Sequence, residues 1–92
     1  MANNSRDTPS SRVDGWPDVS APDAEVEVAR RLVANLLAAM DGRSIRSVAD
    51  LAGLDEKTVR NVIAGKSWPD LRTIALLEQG LGCRLYPHYP NE

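Results

Sequence analysis

The chain has 92 residues, room for one small domain, with 42% hydrophobic residues, 26% charged residues and a net charge of −2. With no Phe, two Trp and two Tyr, any core must be aliphatic. The charge sum excludes a strongly basic chain, but residues 1–27 hold six acids against two arginines while residues 43–72 hold six basic residues against four acids, so a positive bias sits in the second half.

Residues 1–19 are rich in Asn, Ser, Asp and Pro without periodicity, which predicts a disordered, solvated polar tail. Arg6 and Arg12 could serve as a groove-seeking arm, but the surrounding acids argue against it. Trp16 either docks on the domain or is left exposed. The stretch from Ser20 to Asp23 looks like a helix start: Ser20 can cap, Pro22 suits a first turn and Asp23 stands where a capping-box acid would lie. Val26, Ala29, Val33, Leu36, Leu37 and Met40 then recur at helical spacing, with Val28 and Leu32 broadening the stripe. Glu27 and Arg31 read as an i, i+4 pair on the wet side, and Gly42 ends this first helix.

Ser44 is expected to cap a second helix, with Val48, Ala49 and Ala52 inward and Gly53 as its stop. Asp55 is expected to cap a third, with Val59, Val62 and Ile63 inward and Gly65 as its stop. Asp70 caps a fourth, whose apolar row is Leu71, Ile74, Leu77 and Leu81 and whose end is Gly82. Residues 83–92 alternate at first and suggest a short extended segment. The reading is all-α: a tail over 1–19, a four-helix domain over 20–82 and an extended tail over 83–92.

The joint between the second and third helices narrows the options. Gly53 can take the left-handed conformation of a sharp turn, Leu54 enters the core, and the small Ala49 lets two helices approach at a steep angle. From Ser44 to Gly82 the chain resembles the Cro and phage-repressor type of helix-turn-helix domain, the xenobiotic-response-element family. The resemblance rests on Ser44, Val48-Ala49, Gly53-Leu54, Thr58-Val59, Gly65, Pro69 and LRTIALLEQGLG, in one ungapped register. It implies a compact lambda-repressor-like fold. Two departures stand out. Ile63 takes the place of an acid that in many members pairs with an arginine, near Ala38 here, so an apolar contact is expected instead. Ile45 stands where a phosphate-contacting glutamine is common, leaving Arg46 or Ser47 to take over.

With Val59, Val62 and Ile63 inward, Glu56, Lys57, Arg60 and Asn61 project outward. The resemblance implies that this flank enters the major groove. Asn61 can bind an adenine edge, Lys57 a guanine and Glu56 a cytosine amine, while Arg60 suits a guanine or a phosphate. Arg43, Ser44, Arg46, Ser47, Thr58, Lys66, Ser67 and Arg72 are the expected phosphate contacts, helped by free N–H groups at the starts of the second and fourth helices. Trp68 is expected to pack over the connector.

One module touches few base pairs, so a homodimer on half-sites about 10 bp apart is expected. Its mate would meet the C-terminal tail, where Cys83 and Leu85 alternate with Arg84 and Tyr86, or the apolar arc of the first helix at Val28 and Leu32. The leading expectation is a dimeric transcriptional repressor on a palindromic duplex operator. The alternatives are an antitoxin-type autoregulator, binding a toxin through its N-terminal tail, and a protein-binding helical adaptor without DNA contact. No enzyme, cofactor or metal site is expected: His88 and Cys83 alone do not make one. The single cysteine forms no internal disulfide, and Leu32 to Met40 is too short to span a bilayer. A bacterial cytoplasm or nucleoid, or a phage-encoded origin, fits.

Overall fold

The computed structural model describes residues 7–87. A 3-10 turn, Pro9–Arg12, precedes four helices: α1 Ala24–Met40, α2 Ile45–Ala52, α3 Glu56–Ile63 and α4 Leu71–Leu81. Among the described residues there is no strand, and residues 83–87 run on as irregular chain.

Helices α2 and α4 start and stop for local reasons. The Ser44 hydroxyl accepts a hydrogen bond from the Ser47 N–H at 3.1 Å, and the Asp70 carboxylate accepts one from the Thr73 N–H at 2.8 Å. Asp55 holds the N-cap position of α3, but its side chain makes no capping bond. Gly53 closes α2 at φ 71°, where its N–H bonds back to the last turn. The Leu54 N–H also reaches the Ala49 carbonyl at 2.9 Å, which fixes the bend into α3.

The start of α1 differs from expectation. Asp23, not Ser20, is the N-cap, and its side chain bonds no helix N–H. Its carboxylate faces Arg12 at 3.4 Å instead. At the other end the turn begins one residue earlier than expected: Asp41 is left-handed at φ 50°, and Gly42 follows at φ 82°; aspartate tolerates this conformation better than most side chains.

The core gathers Leu32, Val33 and Leu36 of α1, Val48 and Ala49 of α2, Val59 and Val62 of α3, and Ile74 and Leu77 of α4. Helix α2 lies against both α3 and α4. The α2–α4 contact is backbone to backbone: a Cβ placed on Gly80 would stand 2.8 Å from both the Ala52 Cα and the Leu51 carbonyl oxygen. Leu37 and Leu71, expected in the apolar rows, are solvent-exposed, Leu71 at 80%. Leu71 lies in the first turn of α4, where Ile74 and Leu77 already fill the buried side. Ile63 packs against the core, but the α1 alanine packed there is Ala39, while Ala38 is exposed.

Leu85 drops into the core. Glu78 holds it there, its carboxylate accepting from the Leu85 N–H at 2.8 Å and the Tyr86 N–H at 3.0 Å. The Asn35 amide donates to the Leu85 carbonyl at 2.9 Å. The two N–H groups, Tyr86 first, hold the Glu78 carboxyl below its ordinary pKa.

Two polar expectations are overturned. Glu27 is not on the wet side: it is 5% exposed, and its carboxylate accepts from Arg30 Nε at 2.8 Å, Arg30 Nη2 at 2.7 Å, Arg31 Nε at 2.9 Å and the Ala21 N–H at 2.9 Å. The Arg30 hydrogen bonds, with help from Ala21 and Arg31, outweigh the cost of burial and lower its pKa from 4.5 to about 2. Residues 7–19 are not a solvated tail either. Trp16 Nε1 donates to the Ile63 carbonyl at 2.9 Å, and Ser10 donates to the Gly65 carbonyl through its N–H at 2.9 Å and its hydroxyl at 2.8 Å. These three donors find carbonyls at and just beyond the end of α3 that no helical turn satisfies. Residues 1–6, and Arg6 with them, lie outside the described residues, as does His88.

Candidate nucleic-acid interface

Helix α3 is short, and its two faces differ in chemistry. Val59 and Val62 are buried, whereas Lys57 and Arg60 are exposed and Glu56, Thr58 and Asn61 half-buried. The bend at Gly53 and the packing of α3 on α2 hold this polar flank outward. The Arg60 guanidinium donates to the Glu56 carboxylate one turn back. This pair gives Glu56 a task the sequence does not announce: it orients Arg60 and offsets its charge, while Lys57 stays outside that pairing.

The expected phosphate contacts flank this helix in the chain. Arg43, Ser44, Arg46, Lys66 and Arg72 are exposed, and Ser47 and Ser67 half-buried. The two helix starts are not equivalent. At α2 the cap is a neutral hydroxyl, which keeps its own proton to donate. At α4 the Asp70 carboxylate already occupies the Thr73 N–H, and that bond lowers its pKa. A carboxylate at this position opposes a phosphate, so α4 does not offer the open amide cluster expected of it.

Arg12 is not available as a groove arm. It lies 3.1 Å from Asp7, 3.4 Å from Asp23 and 2.8 Å from Glu25, and its guanidinium stands 5.8 Å from the centre of the Trp68 ring. Trp68, expected to pack over the connector, is exposed and meets the N-terminal flank instead: its Nε1 donates to the Asp7 carbonyl at 2.7 Å.

Sequence reasoning missed the contacts behind α3. Gly65 follows the helix at φ 70°, and a Cβ there would stand 2.7 Å from Trp16 Cε2 and 2.8 Å from the Ser10 Cβ. The glycine was visible as a helix stop; that Trp16 covers it was not, because the two are separated by most of the domain.

Among the described residues no group of three or more His, Cys, Asp or Glu side chains is placed to hold a metal ion, and no helix is long and apolar enough to cross a membrane. Comparison with curated proteins and with solved structures finds no match. The family comparison does: a helix-turn-helix model matches residues 36–87, from the second half of α1 through α4 to the buried Leu85 and beyond. The match includes the bend at Gly53, the polar flank of α3 and the connector to α4. The chain therefore belongs to the helix-turn-helix family of the Cro and xenobiotic-response-element type, a family of DNA-binding transcription regulators rather than of enzymes.

Proposed function

We propose that the protein is a sequence-specific repressor that reads a palindromic operator as a homodimer, with α3 of each subunit in the major groove. The observation that carries this reading is the division of α3: Val59 and Val62 are sealed in the core while Lys57, Arg60 and Asn61 line its outer side. Lys57 and Asn61 are the main base readers. Lys57 donates to a guanine, and Asn61 both donates to and accepts from an adenine edge. Arg60, steadied by Glu56, reaches a guanine or a phosphate. Glu56 accepts from a cytosine amine only when that pair opens. Arg43, Ser44, Arg46, Ser47, Thr58, Lys66, Ser67 and Arg72 hold the backbone and set the register.

Of the two surfaces weighed for the mate, pairing through the Cys83–Leu85 strand loses support, since Leu85 lies in its own core with its N–H on Glu78 and its carbonyl on Asn35, and the arc of α1 is favoured. Val28, Leu32, Trp68, Leu71 and Tyr86 line one groove between α1, the start of α4 and the C-terminal segment. A second copy seated there would cover Leu71, the most exposed large apolar side chain among the described residues. The antitoxin reading gains no support, since residues 8–17 are engaged with their own domain.

Selection from random duplexes, with wild type and Asn61→Ala in parallel, tests the reading. A palindrome that changes at one position per half-site is the expected result. Identical output from the two proteins removes Asn61 from the base-reading set, and absence of duplex binding even in low salt leaves the adaptor. Arg46→Ala or Lys66→Ala should weaken all duplexes alike and flatten the salt dependence by about one unit of log–log slope.

A further inference from the structure

We infer that the segment from Ser10 to Trp16 is a brace for the reading helix, and that Ser10 and Trp16 are positioning residues for DNA recognition. The inference rests on the proposed role of α3, yet its observations are independent of it. They lie in a segment wholly outside the family match.

The last turn of α3 carries Arg60 and Asn61. Their carbonyls are taken by the turn that follows: Ala64 N–H donates to Arg60 at 3.0 Å and Lys66 N–H to Asn61 at 2.9 Å. That turn is gripped from behind. Trp16 Nε1 takes the Ile63 carbonyl, both donors of Ser10 take the Gly65 carbonyl, and the indole and the Ser10 Cβ close over the Gly65 Cα. An eight-residue helix has little stability of its own, so the position of Arg60 and Asn61 depends on what holds this end. Apolar packing of Val59 and Val62 fixes the near side of α3. The brace fixes its C-terminal end, including its rotation about the packed side.

The brace is itself anchored at two further points. Arg12 ties it to Asp23 and Glu25 at the start of α1, and Arg30 Nη1 donates to the Pro17 carbonyl at 3.2 Å. The segment thus links α1 to the end of α3 around the outside of the core.

Two variants of the full chain test this. Trp16→Phe keeps an aromatic ring over Gly65 and loses the donor to Ile63; Ser10→Ala loses the hydroxyl donor and keeps the backbone one. Hydrogen exchange at the Ala64, Gly65 and Lys66 amides is measured without DNA. Affinity is then measured for the selected operator and for a random duplex, well below the melting temperature. Both variants should speed exchange at these amides by about 3- to 10-fold, the shift expected from one lost hydrogen bond. Operator affinity should fall by a similar factor while random-duplex affinity stays within about twofold, because phosphate contacts tolerate small rotations that base contacts do not. Unchanged exchange in both variants overturns the brace. Faster exchange with an unaltered operator-to-random ratio overturns the positioning role and leaves only a stabilising one. A wild type that shows no preference among duplexes defeats the base-reading proposal instead, and the exchange arm still judges the brace by itself.

Discussion

The region from α2 to α4 and the flank from residue 7 to α1's first turns are held by different physics. In the first, Val48, Ala49, Val59, Val62, Ile74 and Leu77 meet by apolar packing, and the ends of α2 and α4 are set by residues next to them in sequence. In the second, the chain is fastened by polar contacts, some of them long-range and some between near neighbours in sequence. Trp16 and Ser10 reach the far end of α3, Arg12 meets three carboxylates, and Glu27 gathers Arg30, Arg31 and the Ala21 N–H. The first arrangement makes a family fold. The second lies outside the family match and, on the proposed function, bears on how that fold presents α3.

Gly80→Ala attacks the first region at its closest approach. Alanine gains about 1 kcal/mol of helix propensity over glycine. The added methyl, however, meets the Ala52 backbone and the Leu51 carbonyl at 2.8 Å, and overpacking against rigid backbone, about 3 kcal/mol, should leave a net loss of about 2 kcal/mol. Urea unfolding with an unchanged m-value checks it; a variant as stable as wild type would show that α2 and α4 can part without penalty.

Glu27→Gln attacks the second region. Glutamine keeps the shape but leaves Arg30 and Arg31 without their counter-charge, and the cost at pH 7 should be about 2 kcal/mol. The pH dependence follows from the direction of the shift. The folded pKa, about 2, lies below the ordinary 4.5, so the stabilisation is fully present above pH 4.5 and drains away as pH falls toward 2. Wild type should lose stability across that window, and Glu27→Gln should lose less. Parallel acid titrations of the two would contradict the role given to this carboxylate.

What could be read from the sequence follows the same division. The four helices, the Ser44 and Asp70 caps and the bend at Gly53 rest on neighbouring residues and on apolar spacing, and the structure has them where that pattern put them. The outward flank of α3 was legible for the same reason: Val59 and Val62 fix which side is inside. Glu27 was misread because i, i+4 spacing to Arg31 says that two side chains can meet, not whether water surrounds them. The docking of Trp16 is not legible in the sequence, because an indole N–H and a distant carbonyl have no sequence signature. The Glu56–Arg60 pair stands at readable i, i+4 spacing, but spacing alone does not choose between a base and a neighbouring guanidinium as the partner of Glu56.

The junction of the two regions can be probed with a cycle of Gly65→Ala and Trp16→Ala. Alone, Gly65→Ala bears three costs: an alanine at φ 70°, about 1 kcal/mol, the clash with the indole, and a tight contact with the Ser10 Cβ. Once Trp16 is alanine, the clash with the indole is gone and the other two costs should remain. The coupling should be about 1 kcal/mol, favouring the double variant over the sum of the singles. Strict additivity would mean that Trp16 does not rest on Gly65 in solution, and the brace would lose its footing.

The smallest contrast is between two caps that look alike in sequence. Ser44 and Asp55 each precede a helix, and each is a residue type favoured at that position. Only Ser44 makes the bond, to the Ser47 N–H, while Asp55 leaves the first turn of α3 without a side-chain partner. Ser44→Ala should therefore cost about 1 kcal/mol, and Asp55→Ala much less, measured by thermal unfolding at neutral pH. The asymmetry fits the two helices' surroundings. Helix α2 lies between α3 and α4 and must begin where the chain leaves α1. Helix α3 is seated by Val59 and Val62 and gripped at its far end by Trp16, so its first turn, which carries Glu56 and Lys57, can do without a cap. Equal losses in the two variants would mean that the start of α3 is held by its own residues, and would shift the task of fixing the reading flank from the brace to the bend.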